Sequence, residues 1–239
     1  MANDIEKVRA QAHDANVANK IIDSLKELQQ SSDEKSRCRW VWELIQNAKD
    51  VANSSGSVDV KISFNEQQRI LQFAHNGKPF SMQNIVFLIE QVSTKDRDEK
   101  EEAKRSTGKF GTGFLTTHLL SEIVTISGVL QDENSQFKRF ELDINRSEKT
   151  REGIIAGNKK SFEQLQNSIE NGKIIFDFNE DLFNTSFTYR INENGLGVAK
   201  EGLGNLYDAL PYVFMFVPEI RSVSVEEYAW KFTRGKLYL

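Results

Sequence analysis

Apolar residues recur at helical spacing from about Asp4 to Gln30, at Ile5, Val8, Ala12, Ala15, Ile21, Ile22, Leu25 and Leu28, and predict an amphipathic helix with one break near Asn16. Ser31-Ser32-Asp33 stops that helix and caps a second, which carries Trp40, Val41, Leu44, Ile45 and Ala48 to about Val51. Asn53 to Gly56 ends it, and the period then changes to two. Ser57 to Phe64 and Arg69 to Ala74 alternate around a polar turn at Asn65 and Glu66, the pattern of a β-hairpin. A short helix from Ser81 to Glu90 follows.

From Gln91 to Arg105 the apolar pattern vanishes into a charged run, Lys95 to Glu102, which reads as a mobile surface segment. Ser106-Thr107-Gly108-Lys109-Phe110-Gly111-Thr112-Gly113-Phe114 is a glycine-rich turn that leads into a helix over Leu115 to Leu120. Ile123 to Leu130 and Phe137 to Ile144 read as strands, then Asn145 to about Asn171 as a polar insert. Further strands are expected near Lys173 to Phe178, Ser186 to Ile191 and Ile220 to Val225, with a helix over Gly202 to Phe216 despite Pro211. The dense apolar stretch Leu210 to Pro218 reads as core packing.

With 31 Lys and Arg against 35 Asp and Glu in 239 residues, the chain has no global field to draw it to nucleic acid or anionic lipid. No apolar run is long enough to span a bilayer and no charged-then-apolar leader is present, so a cytoplasmic protein is expected, with one domain over residues 1–239. The single cysteine, Cys38, excludes an intrachain disulfide and reads as a small buried hydrophobe.

Candidate chemistry begins on the second helix. Glu43 and Asn47 lie four apart and share one helical face, with Asp50 one turn further. An Asn oxygen is a hard ligand suited to Mg²⁺, and a carboxylate beside it can orient or deprotonate a water. The same pair occurs by chance on many amphipathic helices. Gly108, Gly111 and Gly113 let backbone approach a ligand closely, and a helix start offers N–H groups to phosphate oxygens. The turn is not a Walker loop, since no Lys-Ser or Lys-Thr pair closes it, and no Rossmann strand precedes it. Taken alone it serves packing as readily as phosphate binding.

In order, these segments resemble the GHKL superfamily of gyrase, heat-shock chaperone ATPases, histidine kinases and MutL. Trp42 to Asp50 looks like the first motif, Phe73-Ala74-His75-Asn76-Gly77-Lys78-Pro79-Phe80 like the second, and Thr107 to Phe114 like the third; Thr185, in Asn184 to Tyr189, matches a threonine that supports the adenine pocket. The resemblance spans about Trp40 to Arg190. It implies an α+β fold: the two-layer α/β sandwich called the Bergerat fold, with a mixed, mainly antiparallel sheet, helices on one face and a mobile ATP lid over about 91–113. It also implies ATP and Mg²⁺ as cofactors, with Glu43 as general base, Asn47 on the metal, and Asp50, His75, Gly77, Gly108, Lys109, Phe110, Gly111, Gly113 and Thr185 around the nucleotide. Lys95 or Lys109 could reach phosphates, although surface exposure is the default for both.

The chain departs from the family where its second motif has His75 in place of aspartate and Pro79 in place of glycine. A neutral imidazole can accept a hydrogen bond from the adenine amine through its unprotonated nitrogen, so ATP affinity is expected to fall as pH drops through the histidine's pKa. The histidine-bearing version most resembles the chaperone-related, sacsin-type branch. Glu43 favours hydrolysis over phosphotransfer. The resemblance implies slow hydrolysis coupled to lid closure, with a nucleotide-dependent homodimer, following domains of a longer chain or a protein client as partners. A non-hydrolysing, nucleotide-gated interaction module is the alternative, and a structural domain with accidental motifs a third reading.

Overall fold

The computed structural model describes residues 2–30, 34–91, 112–172, 174–226 and 230–235. They form an α+β fold around one mixed sheet. In chain order the elements are helix α1 (Ala2–Gln30), α2 (Glu34–Asp50), strands β1 (Val58–Asn65) and β2 (Ile70–His75), and α3 (Met82–Glu90). A 3₁₀ helix (Thr112–Leu119), β3 (Ile123–Gln131), β4 (Phe137–Asn145), α4 (Arg151–Asn171), β5 (Ile174–Ile175) and β6 (Thr185–Arg190) follow. The last are α5 (Glu193–Phe216), β7 (Ile220–Val225) and β8 (Trp230–Thr233).

The eight described strands run in the order β5-β4-β3-β6-β2-β1-β7-β8. Neighbours are antiparallel except β1 and β7, which are parallel. Alternation decides the two faces: Val58, Val60, Ile62 and Phe64 of β1 are buried, and Asp59, Lys61, Ser63 and Asn65 are only partly covered. Register carries that division across the sheet, opposing Ile62 to Phe73, Phe73 to Phe187 and Phe187 to Ile126 on the covered side. The other side is tied by polar pairs, Thr125 to Asp143 (2.7 Å) and Ser127 to Glu141 (2.7 Å).

α2 is the central helix of the covering layer. Trp40, Val41, Leu44 and Ala48 are wholly buried in the main core, each large side chain contributing roughly 1.5–3 kcal/mol. Trp40 is fixed by its Nε1–H, which donates to the Val198 carbonyl of α5 at 3.1 Å. Cys38 is buried as expected. α1 is continuous through Asn16 and packs Val17, Ala18, Ile21 and Leu25 with Leu115 and Ile154 in a second cluster. Its first turns differ from expectation, because Ile5 and Val8 are exposed.

The polar insert over 145–171 is in fact mostly α4. Thr150 caps it by accepting from the Gly153 N–H, and Ile154, Phe162, Leu165 and Ile169 recur at helical spacing within an otherwise charged stretch. The helix also finishes the sheet. β5 pairs only with Phe137 and Lys138, which leaves Glu141 and Asp143 of β4 without a strand neighbour on the edge away from β3. Ser161 Oγ donates to the Asp143 carbonyl (2.6 Å), Gln164 Oε1 accepts from its N–H (2.9 Å), and Ser168 Oγ both accepts from Glu141 N–H and donates to its carbonyl. One helix face thus satisfies a strand edge. α5 begins at Glu193, earlier than expected, because Asn192 caps it by accepting from the Gly195 N–H. It runs on through Pro211.

Among the described residues, no helix is long and apolar enough to cross a membrane.

Candidate functional site

Two stretches of candidate chemistry meet α2, which carries the third, at different heights. At mid-helix, Glu43 lies against the start of the 3₁₀ helix: a Cβ built on Gly113 would stand 2.2 Å from Glu43 Oε2 and 2.5 Å from its Cδ. Gly113 lets the carboxylate lie against the backbone there, and a larger residue would make the flexible end of Glu43 shift. Arg39, four residues earlier, donates through Nε to Glu43 Oε1 at 3.3 Å. The arginine is largely exposed and the glutamate mostly covered, so this contact holds the carboxylate from its open side. Sequence reasoning overlooked Arg39 here, although its i,i+4 spacing to Glu43 was available.

One turn on, Asn47 is 4% exposed, and neither Oδ1 nor Nδ2 has a hydrogen-bond partner among the described residues. An amide buried this way costs about 1–3 kcal/mol for each unsatisfied group. Asp50 is partly covered at the helix end.

At that end the turn after β2 docks. The Lys78 N–H donates to the Val51 carbonyl at 2.8 Å, and a Cβ on Gly77 would stand 2.5 Å from the same oxygen. Because that oxygen is backbone, Gly77 is a steric requirement rather than a preference. Val51 directly follows α2, eight residues beyond Glu43, so the two contacts stand roughly 12 Å apart by helical rise.

His75 ends β2 on the covered side of the sheet, opposite Thr185 of β6 and near Phe187 (ring centroids 6.3 Å). It is 3% exposed, and burial pushes its pKa down to about 4, so the ring is neutral at ordinary pH. The Gly77 N–H donates to His75 Nδ1 at 3.1 Å. A backbone N–H can only donate, so Nδ1 carries the lone pair and the proton sits on Nε2. The tautomer departs from expectation: the other ring nitrogen is a donor and cannot accept from an amine, and burial moves the ring's titration down to about 4, below the ordinary histidine range.

Asn76 and Phe80 are the residues of this motif that sequence reasoning passed over. Asn76 is wholly buried; its Oδ1 accepts from the Asp59 N–H at 2.7 Å, and its N–H reaches the Asp59 carbonyl. Asp59 is braced in turn by Arg221 through both guanidinium and carboxylate forks and by Ser222 Oγ at 2.7 Å, and the Arg221 hydrogen bonds hold its pKa below the usual carboxylate range. Phe80 bridges to β3 through Val129 and Gln131 and meets Phe140 edge-on at 5.3 Å. The motif is therefore clamped at both ends, with His75 and Gly77 between the clamps.

Gly108, Lys109, Phe110 and Gly111, and the charged run with Lys95, lie outside the described residues, as does most of the expected lid. Of the expected positions, Glu43, Asn47 and Gly113 gather on one side of α2, and His75, Gly77 and Thr185 at its far end. No cluster of three or more His, Cys, Asp or Glu suited to a metal occurs among the described residues. Comparison with protein-family models and with curated proteins finds no match in either.

Proposed function

We propose that this chain is an ATP-binding module of the GHKL type, a Bergerat fold that hydrolyses ATP slowly in a Mg²⁺-dependent reaction. The observation that carries the reading is Asn47: a buried amide with both polar atoms unsatisfied among the described residues, one helical turn from a carboxylate packed against Gly113. Such a group awaits a polar ligand. Its Oδ1 suits Mg²⁺, which keeps several waters and needs few protein ligands. When bound, the ion would neutralise phosphate charge.

Glu43 orients a water and takes its proton as attack begins. Arg39 must release or reposition the carboxylate for that, which gives this ion pair control over turnover. Asp50 supports Asn47 from the next turn. At the far end, His75 offers Nε2–H to a ring nitrogen of adenine, with Thr185 beside it in register. Gly108, Lys109, Phe110 and Gly111 belong to a lid whose closure drives dimerisation, docking on a following domain or action on a protein client, as in chaperones. The non-hydrolysing reading also has a specific observation behind it, because Arg39 already engages the carboxylate that would activate water.

Thermal-shift titration with Mg-ATP and Mg-ADP tests binding, with stabilisation of about 2.7 kcal/mol expected at a hundredfold excess over Kd. No shift at millimolar nucleotide refutes the module outright. Glu43→Ala then decides between the two readings: it abolishes turnover and spares binding if the carboxylate is the base, and changes nothing measurable if the module only switches.

A further inference from the structure

A second polar site lies away from α2, where the C-terminal half of α1, the 3₁₀ helix, the loop after β4 and the start of α5 enclose a cavity of about 190 Å³. Leu25, Leu28 and Leu115 form one wall; His118, Glu122, Arg146, Lys149, Asn192 and Asn194 supply its polar lining. Arg146 is wholly buried. Its guanidinium donates to the carbonyls of Ile89 (2.6 Å) and Asn145 (3.2 Å) and to Asn158 Oδ1 (2.9 Å), all neutral acceptors, and its buried Nε–H has no partner among the described residues. No carboxylate pairs with it among the described residues, and burial pulls its pKa down to about 9, so it remains charged at neutral pH.

His118 presents the complementary defect. The Ser121 carbonyl can only accept, so His118 Nδ1 carries the proton that bonds it at 3.2 Å, and Nε2 is a buried lone pair with no donor among the described residues. Burial and the Arg146 charge push this pKa down to about 3, so the ring does not protonate to relieve the defect. Lys149 bonds Glu122 (3.2 Å) and the Arg146 carbonyl (2.7 Å), and these two charges balance locally. α5 brings its first turn to the same cavity. Asn192 satisfies Gly195, while the earlier N–H groups of that turn have no intrahelical acceptor by geometry.

We infer that this cavity binds a small phosphate-bearing anion that keeps one acidic proton. The ionised oxygens accept from Arg146 Nε–H and the α5 amides, and the P–O–H donates to His118 Nε2. That pairing of an unmet donor with an unmet acceptor distinguishes phosphate, which is protonated near neutrality, from sulfate, which is not. Free phosphate and a phosphomonoester share the chemistry; the leucine wall favours the second.

Equilibrium dialysis of the full chain with radiolabelled inorganic phosphate, at fixed ionic strength and without nucleotide, tests the site. One phosphate should be retained per chain, with sulfate competing at least about tenfold more weakly. Lys149→Ala, a partly exposed position, should weaken retention several-fold, and His118→Leu should remove the preference over sulfate. Asn47→Leu should leave retention unchanged, which separates this site from the proposed nucleotide site. Phenyl phosphate displacing the label more strongly than phosphate identifies a phosphomonoester site; equal displacement identifies free phosphate. The inference is overturned if no phosphate is retained at millimolar concentration, if sulfate competes equally, or if Asn47→Leu abolishes retention while Lys149→Ala does not. Where an altered cavity lowers folding stability, urea denaturation of each variant fixes the folded fraction to which retention is referred.

Discussion

Replacing Asn47 by leucine should stabilise the unliganded chain and abolish its response to nucleotide. The side chain is 4% exposed and neither amide atom meets a partner among the described residues, so the folded state carries the desolvation penalty of a donor and an acceptor. Leucine has a similar volume and no polar atom, and it adds apolar burial beside Leu44 and Ala48 in the main core. Allowing part of the gain to be lost in fitting a branched chain, the variant should be more stable by about 1–3 kcal/mol. For a domain of this size each kcal/mol moves Tm by about 2–4 °C. Urea denaturation gives the free energy directly, and thermal scans with and without Mg-ATP give the ligand response. The wild type should gain about 2.7 kcal/mol at a hundredfold excess of nucleotide, and the variant nothing. The reasoning is refuted if the unliganded variant is less stable by 1 kcal/mol or more, a loss of about fivefold in the folding constant, because the amide would then be satisfied by bound water. It is equally refuted if the variant keeps the full nucleotide shift.

The remaining predictions rest on other contacts. Gly202→Ala sets a Cβ 2.3 Å from Trp40 Nε1, on an indole that is wholly buried and bonded to Val198, so a loss of about 1–3 kcal/mol is expected in urea denaturation; a loss under about 0.5 would show that α5 shifts freely. Gly113→Ala meets instead the far end of a flexible side chain, so folding should change by less than about 1 kcal/mol while ATP turnover falls at least about tenfold with binding retained. His75 and His118 have pKa values lowered in the folded state to about 4 and about 3, from 6.5 unfolded. The unfolded chain therefore binds more protons below pH 6.5, and stability should fall as pH drops from 6.5 towards 4, by up to about 3 kcal/mol per histidine. His75→Gln and His118→Gln should each flatten that slope, and an unchanged slope in both would contradict the assignment. Purine riboside triphosphate, which keeps adenine N1 and lacks the exocyclic amine, should bind within about threefold of ATP; a loss of tenfold or more would show that the amine is read after all.

The hairpin, the central helix and the alternating strands were legible because each has one face in the core, so burial writes its period into the sequence. α4 was not, since much of its inward face is polar by necessity. Ser161, Gln164 and Ser168 face the unpaired edge of β4, where a leucine would leave backbone groups unsatisfied, and their polarity disguises a helix as a loop. The start of α5 was missed for a related reason: Gly195 and Gly197 weaken the helical signal, while the cap that fixes the start is a single side chain. Sequence placed Glu43, Asn47, Gly77 and Gly113 among the candidates by residue type and order. It could not show that the Val51 carbonyl demands Gly77, or that Glu43 packs against Gly113, since these partners are distant in sequence.

The histidine of the second motif shows most clearly where residue type stops being enough. Imidazole is both donor and acceptor, so His75 in place of an acid reads equally well as a substitute acceptor or as a reversal. The choice is made by the Gly77 N–H, two residues away, which the glycine-tight turn aims at Nδ1. Because Gly77 is pinned by the Val51 carbonyl of the same chain that carries Asn47, the tautomer of His75 and the position of α2 are set by one contact region. Lengthening the turn after Gly77 would free both together, releasing the ring to flip and the helix end to move. An acid at position 75 would accept the Gly77 N–H without any tautomeric choice and still have a second oxygen for a base amine. His75→Asp is therefore the substitution that should convert recognition from a ring acceptor to an exocyclic amine, and restore to ATP the advantage over purine riboside triphosphate that the histidine denies it.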